Sequence, residues 1–252
     1  RGIPDLILAH ELHRAINVEG SRHVARAARS EGSRLIHVST CDAVAVGTAA
    51  RPADEDTPLQ EPVCCSYVIS KREAEQAVME EVDKGLDAVI VNPSFMLGPW
   101  DWKPSSGRML LEVARGRGVL APRGTFSICD VRDVAEAILA AVARGQRGRR
   151  YILGGETMSF LAAWRLFAEV SGGRRPWFCP GPVVQWLGGH LGDVYGWLTG
   201  AEPDLNSGAI ALARLSKYYS SERARRELGY RHRPVVESVH DAWAWFREQG
   251  YL

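Results

Sequence analysis

The 252-residue chain is 46% hydrophobic, enough to bury a substantial core, and its 31 basic against 30 acidic side chains leave a formal net charge of +1. That balance excludes a global field for nucleic acid or an anionic membrane and points to small-molecule partners. No apolar run reaches the roughly 18 residues that span a bilayer, and the N-terminus lacks the basic-then-apolar order of a signal peptide.

The first pattern, from about 10 to 31, has Ile16, Val24, Ala27 and Ala28 on a recurring apolar face and Gly32 as terminator, so a helix is expected. A short β-rich strand follows over 34–40 (RLIHVST), then a polar loop with Pro52, Asp54, Glu55, Asp56 and Pro58. A second helix is expected from about 66 to 84, closed by Gly85. Residues 86–92 (LDAVIVN) are the continuous apolar run of a strand buried on both faces, ended by Pro93. Helices over 108–116 and 131–144 and a strand over 150–153 continue the alternation. Such βαβ order predicts an α/β fold, a partial Rossmann-like doubly wound parallel sheet, with ligands where strand C-termini open into loops. Beyond Gly155 helices are expected near 160–170, 183–198, 221–228 and 235–249. The division is therefore a catalytic domain over 1–155 and a smaller, mostly helical C-terminal substrate lobe over 156–252. All eight tryptophans lie at or after Trp100, with core packing the expected use and an aromatic-lined substrate pocket the alternative.

Five cysteines, Cys41, Cys64, Cys65, Cys129 and Cys179, show no metal-ligand spacing and no disulfide framework, which suggests a reducing, cytoplasmic setting and no metal site. Small loop residues account for Cys64 and Cys65 unless exposure makes them redox-sensitive. His37 reads as a sheet residue, and Arg147, Arg149 and Arg150 as a solvated turn. Only four lysines occur, Lys71, Lys84, Lys103 and Lys217.

Chemistry concentrates in Ser66-Tyr67-Val68-Ile69-Ser70-Lys71 at the start of a helix. The spacing of four puts phenol and ammonium on one face, one turn apart. A free tyrosine, with a pKa near ~10, is a poor base at neutral pH, and a neighbouring ammonium favours the phenolate. Tyr67 can then exchange a proton with a substrate hydroxyl. Chance alone produces such a spacing in roughly one comparable sequence in ten, so the setting matters. Ser39 and Thr40 close a predicted strand, where a hydroxyl can steady a reacting oxygen. Asn17 sits mid-helix, where an amide is unfavourable unless it binds water, backbone or solvent.

In this order the residues resemble the extended short-chain dehydrogenase/reductase family, also called NAD(P)-dependent epimerase/dehydratases. The resemblance runs through Asn17-Val18-Glu19-Gly20, His37-Val38-Ser39-Thr40, Tyr67 to Lys71, Asn92-Pro93-Ser94-Phe95-Met96-Leu97-Gly98-Pro99, Asp130-Val131-Arg132-Asp133-Val134-Ala135 and Glu227-Leu228-Gly229-Tyr230, and ends at Trp245-Phe246. It implies NAD or NADP as cofactor, with Tyr67 as acid/base and Lys71 supporting both it and the ribose. Thr40 or Ser39 would bind the substrate oxygen, Asn17 would assist, and Pro93, Ser94 and Met96 would lie beside the nicotinamide. Counting back from Ala45 favours Thr40, while Asp42 stands where an acid is less usual. Asp101-Trp102-Lys103-Pro104-Ser105 looks closest to the dihydroflavonol-reductase and hydroxysteroid-dehydrogenase-like branch, which suggests an oxidoreductase acting on a hydroxyl/ketone pair of a fairly apolar substrate.

Two alternatives stand beside it, a nucleotide-sugar epimerase/dehydratase and a truncated, non-catalytic binding or regulatory paralogue. Nothing matches the family's glycine-rich phosphate-binding turn. Residues 1–9 (RGIPDLILA) are too short for it, and Gly188-Gly189-His190-Leu191-Gly192 lies in the helical lobe. A fragment of a longer enzyme is the expected explanation. The resemblance also suggests a homodimer through the helices near Asn17 and Tyr67.

Overall fold

In the computed structural model, residues 13–59, 66–199 and 207–252 are described. The apolar run becomes β2 (Ala88–Pro93), whose six residues are all buried. It lies between β1 (Leu35–Val38) and β5 (Arg150–Leu153), parallel to both, in the order β1-β2-β5. The register pairs Leu35 with Ala88 and Val38 with Val91 on one side, and Ile90 with Arg150 and Pro93 with Leu153 on the other.

Successive side chains of a strand point to opposite faces, so β2 needs cover on both. On one face Val89 and Val91 pack with Tyr151 and Leu153 against Val134, Ala137 and Ala141 of α4 (Val131–Arg144) and against Ala224 and Leu228 of α8 (Glu222–Leu228). On the other, Ala88 joins Ala25 of α1 (Gly20–Ser30) and Val78 and Val82 of α2 (Ser66–Asp83). The sheet is wound on both faces, as the alternation of elements predicted. The exposed edge of β5 is capped from the polar loop, where the Glu55 carboxylate accepts the Ile152 N–H at 2.8 Å.

Three strands go beyond the sequence expectation. β3 (Phe95–Leu97) runs parallel to β4 (Thr125–Asp130), and β6 (Glu156–Ser159) pairs antiparallel with β4, in the order β3-β4-β6. Only β4 has a sustained apolar face. Its Phe126 stacks on Phe160 at 4.3 Å and meets Phe95 edge-on at 5.0 Å. The core beneath it joins α3 (Gly107–Ala114), α5 (Phe160–Ser171) and α9 (Val235–Glu248). This second sheet takes strands from both sides of residue 155, so the lobe interleaves with the parallel sheet along the chain. The remaining helices are α6 (Pro182–Thr199) and α7 (Ser207–Ala213).

The Asp130–Ala135 and Glu227–Tyr230 segments tie helices to the sheet. Asp130 caps α4 by accepting the Arg132 N–H at 2.9 Å. Asp133 receives the Arg233 guanidinium at 2.6 Å, and Glu227 accepts from the Tyr151 hydroxyl at 2.8 Å. The expectation that the tryptophans serve mainly as core is corrected. Trp100, Trp102, Trp177, Trp186 and Trp197 are exposed, and Trp245 alone of the eight is fully buried. Apolar residues fill a core only where an element has a partner to face. Cys64, Cys65 and the 1–9 segment lie outside the described residues. Cys41 and Cys129 are buried free thiols, the latter with its pKa pushed up to about 12 by burial.

Candidate active site

The C-terminal ends of β1, β2 and β5 open on the same edge of the sheet; Pro93 is the last residue of β2, and Ser39 and Thr40, Ser94 and Gly154 follow the three strands. The parallel register extends past the strands through Ser39 N–H to Val91 O at 2.8 Å and Ser94 N–H to Leu153 O at 3.1 Å. The two candidate hydroxyls then separate. Ser39 is buried. Thr40 is half-buried, in extended backbone, and its Oγ1 caps a short 3-10 turn (Cys41–Ala43) by accepting the Asp42 N–H at 3.2 Å. A hydroxyl held as an acceptor keeps its own proton to donate.

Tyr67 stands in the first turn of α2 and is 38% exposed, accessible to a ligand in the opening. The Lys71 ammonium lies over its ring, 5.9 Å from the centroid. Burial lowers the Lys71 pKa, and the negative charge of Glu75 works against that shift. Tyr67, Lys71 and Glu75 recur every four residues, so all three share one face of the helix.

Glu75 is the residue that sequence reasoning missed. Although 3% exposed, it is fully engaged: one oxygen accepts from Asn92 Nδ2 at 2.7 Å, the other from Arg150 Nε at 2.7 Å. Asn92 also donates to the Thr40 carbonyl at 2.9 Å. A continuous polar chain thus runs from Arg150 on β5 through Glu75 and Asn92 to the backbone of Thr40. It ties the C-terminal ends of β1 and β2 and the start of β5 to the helix that carries Tyr67. The legible signal was a carboxylate continuing the Tyr67-Lys71 spacing by one more turn. Burial lowers the pKa of His37, with the Glu75 charge opposing the shift and the Lys71 charge adding to it.

Asn17 lies in a π-helical turn (Arg14–Glu19) that leads into α1. Wide turns of this kind occur at functional sites. Its amide donates to Ser70 Oγ at 3.0 Å, and Ser70 in turn donates to the Tyr67 carbonyl at 2.8 Å. The structure therefore links Asn17 to the backbone that positions Tyr67. His13 approaches the same turn, with its Nδ1 at 3.2 Å from Ser66 Oγ and its ring edge-on to Tyr67 at 6.4 Å.

Asp42 finds its reason across the molecule. Lys217 Nζ reaches its Oδ1 at 2.6 Å, and both side chains are largely buried. Lys217 is itself held by its N–H donating to Thr125 Oγ1 on β4 at 2.9 Å, so the pair joins the loop after Thr40 to the second sheet. After β3 the chain turns through Gly98 at φ 148 and Trp100 at φ 68, a left-handed conformation uncommon for a bulky residue. Trp102 then packs edge-on against Trp245 at 4.9 Å.

A nicotinamide group needs polar contacts at the strand ends, and the residues present fit that need. Ser39 Oγ, Ser94 Oγ and Asn92 Oδ1 are buried there without a hydrogen-bond partner. Buried polar atoms are ordinarily satisfied, so such a group of orphans marks a place for ligand contacts. Among the described residues no three His, Cys, Asp or Glu side chains group to hold a metal.

A family model described as the NAD dependent epimerase/dehydratase family matches residues 8–154. The chain is 32% identical over 241 residues to sterol demethylase protein B of Methylococcus capsulatus, covering 94% of this chain and 74% of that protein. It is 31% identical over 244 residues to 4-hydroxy-2-methyl-3-oxo-4-farnesyl-3,4-dihydroquinoline-1-oxide ketoreductase of Stigmatella aurantiaca, covering 92% and 71%. Among solved structures, gox2253 superposes with a TM-score of 0.82 at 34% identity, covering 96% of this chain and 75% of that one. A Pseudomonas aeruginosa nucleoside-diphosphate-sugar epimerase shares the fold at a TM-score of 0.78 and 22% identity.

Proposed function

The chain belongs to the NAD-dependent epimerase/dehydratase family, and from that premise we propose that it is an NAD(P)-dependent oxidoreductase interconverting a hydroxyl and a ketone on a small, fairly apolar substrate. The observation that carries this reading is the Lys71 ammonium over the Tyr67 ring, on a helix tied through Glu75 and Asn92 to the Thr40 carbonyl. When bound, the nicotinamide supplies the hydride acceptor or donor. Ser94, Pro93 and Met96 would hold its reacting end, and Lys71 would bind the ribose hydroxyls.

Tyr67 gives a proton to the substrate oxygen in reduction and removes one in oxidation. The Lys71 ammonium over its ring favours the phenolate form that takes the proton in oxidation. Thr40 donates its hydroxyl proton to the same substrate oxygen and steadies the charge developing there. Ser39, buried behind it, supports the strand end. Asn17 acts as a positioning residue through Ser70. The 1–155 part carries the chemistry and the 156–252 part the substrate contacts, with β3, β4 and α3 completing the lobe's core. Relatives named for a sterol and for a farnesylated quinoline support the apolar character of the substrate.

The test is turnover with NADH and with NADPH on a panel of apolar cyclic ketones and, separately, on uridine- and thymidine-diphosphate sugars, comparing wild type with Tyr67→Phe. Ketone reduction that disappears in Tyr67→Phe is the expected result. Undiminished turnover in the variant removes Tyr67 from the chemistry, and turnover confined to the nucleotide sugars overturns the apolar substrate.

A further inference from the structure

Helix α6 is built inside out. Its inward face is Gln185, Gly188, Gly189, Gly192, Asp193 and Gly196, all buried or half-buried. Gln185 Nε2 donates to the Pro180 carbonyl at 2.9 Å, and Asp193 Oδ1 accepts the Ser207 N–H at 3.1 Å. A side chain at Gly189 would meet the Ser207 backbone at 3.0 Å, so this face is bare to let α7 approach. The opposite half carries Val183, Trp186, Leu187, Leu191, Val194 and Leu198, between 49% and 69% exposed, flanked by Tyr195 and Trp197. No Lys, Arg, Asp or Glu lies on it. The loop before α6 extends the surface. Trp177 is 73% exposed and Phe178 53%, and Phe178 bridges to the exposed Leu120. So many large apolar side chains exposed together exceed the scattered ones of an ordinary monomer surface and mark an interaction site.

The loop end of this surface is basic: Arg123, three residues after Leu120, and Arg174, three residues before Trp177, are exposed and make no ion pair among the described residues. We propose that the outer face of α6, with the Trp177–Phe178 loop, docks this protein onto an anionic bilayer surface, the helix lying in the plane of the interface. The helix is about 27 Å long, and the apolar half sinks into the acyl boundary while the arginines meet lipid phosphates. Trp and Tyr are the side chains suited to that boundary, with an apolar body and a polar edge. No helix among the described residues is long and apolar enough to cross a membrane, which agrees with an in-plane arrangement.

The test is flotation of the full chain with vesicles of phosphatidylcholine alone and of phosphatidylcholine mixed with phosphatidylglycerol, read alongside tryptophan emission and analytical ultracentrifugation without lipid. Flotation with the anionic vesicles and a blue-shifted emission are expected. Leu191→Glu with Val194→Glu should weaken binding at least about tenfold, because two charges enter the apolar face. Arg123→Gln with Arg174→Gln should weaken it less and remove part of its salt dependence. Trp177→Ser with Phe178→Ser repeats the first test on a loop, should the helix variant fail to fold. Absence of flotation overturns the proposal. A concentration-dependent dimer that the Leu191/Val194 variant abolishes, without flotation, assigns the face to a second copy instead. Flotation is read without turnover, so failure here leaves the assignment of Tyr67 standing, and the reverse.

Discussion

Helices α2 and α6 are each 18 residues long, and they use hydrophobicity in opposite ways. Helix α2 buries Val68, Ala74, Ala77, Val78 and Val82 and, with them, the polar Ser70, Glu75 and Glu81. Each of those polar groups has a partner brought by another element: Asn17 for Ser70, Asn92 and Arg150 for Glu75, Arg29 and Lys84 for Glu81. Helix α6 buries little beyond Gln185 and Gly189 and turns its large apolar side chains outward. A helix at the centre of the molecule can bury charge because neighbours on several sides compensate it. A helix at the periphery with one close neighbour is placed by where a backbone can approach, and glycine decides that.

The largest expected effect lies on the open face of α2. Tyr67→Phe should lower turnover by about 10²–10⁴-fold, the range for loss of a general acid/base, while leaving the melting temperature unchanged because the hydroxyl is not part of the core. An equal loss of stability would make Tyr67 a packing residue. Next comes the buried side. Glu75→Leu leaves the Asn92 amide and the Arg150 guanidinium without their acceptor, and since Arg150 keeps solvent contact the cost should be about 2 kcal/mol in urea unfolding. It should also slow turnover, since Asn92 holds the Thr40 carbonyl.

Glu81 gives α2 a pH signature. Hydrogen bonds from Lys84 and Arg29 hold its carboxyl at about 2, below the ordinary 4.5. A carboxyl depressed on folding contributes stability that is present above its unfolded value and lost as the pH falls towards the folded one. Urea midpoints should therefore decline between pH 4.5 and about 2, and Glu81→Gln should flatten that decline; an unchanged slope would place the acid sensitivity elsewhere. The smallest effect sharpens the contrast. In α6, Gly189→Ala should cost about 1 kcal/mol by crowding Ser207, whereas Leu191→Ala should stay within about 0.5 kcal/mol. If Leu191→Ala costs more, its side chain has a partner.

Much of the site was legible because it is local. The Tyr67-to-Lys71 spacing is one helical turn, and Ser39 and Thr40 follow a strand recognisable from its own composition. Glu75 was not read as part of the site, since a Glu in a helix is ordinarily a solvated residue, and its burial depends on Asn92 and Arg150 from two separate strands. Asp42 stood out as an acid in an odd place, but its partner Lys217 lies 175 residues away. Strand β4 was missed because its short pattern between loops carries little periodicity, and β6 because Glu156, Thr157 and Ser159 give it no apolar face; both form because they pair with each other and cover the aromatic core. The tryptophans were misread for the same reason in reverse, an apolar type taken as buried without knowing what faced it.

By itself the sequence determined the alternation of strands and helices, the parallel β1-β2-β5 sheet and the face that carries Tyr67 and Lys71, because periodicity, capping and helical spacing act within a few residues along the chain. The tertiary structure decided the second sheet, the Arg150–Glu75–Asn92–Thr40 chain, the Asp42–Lys217 pair and the outward turn of α6. Each of these is a contact between segments distant in sequence, and its free energy exists only once closure has brought the partners together.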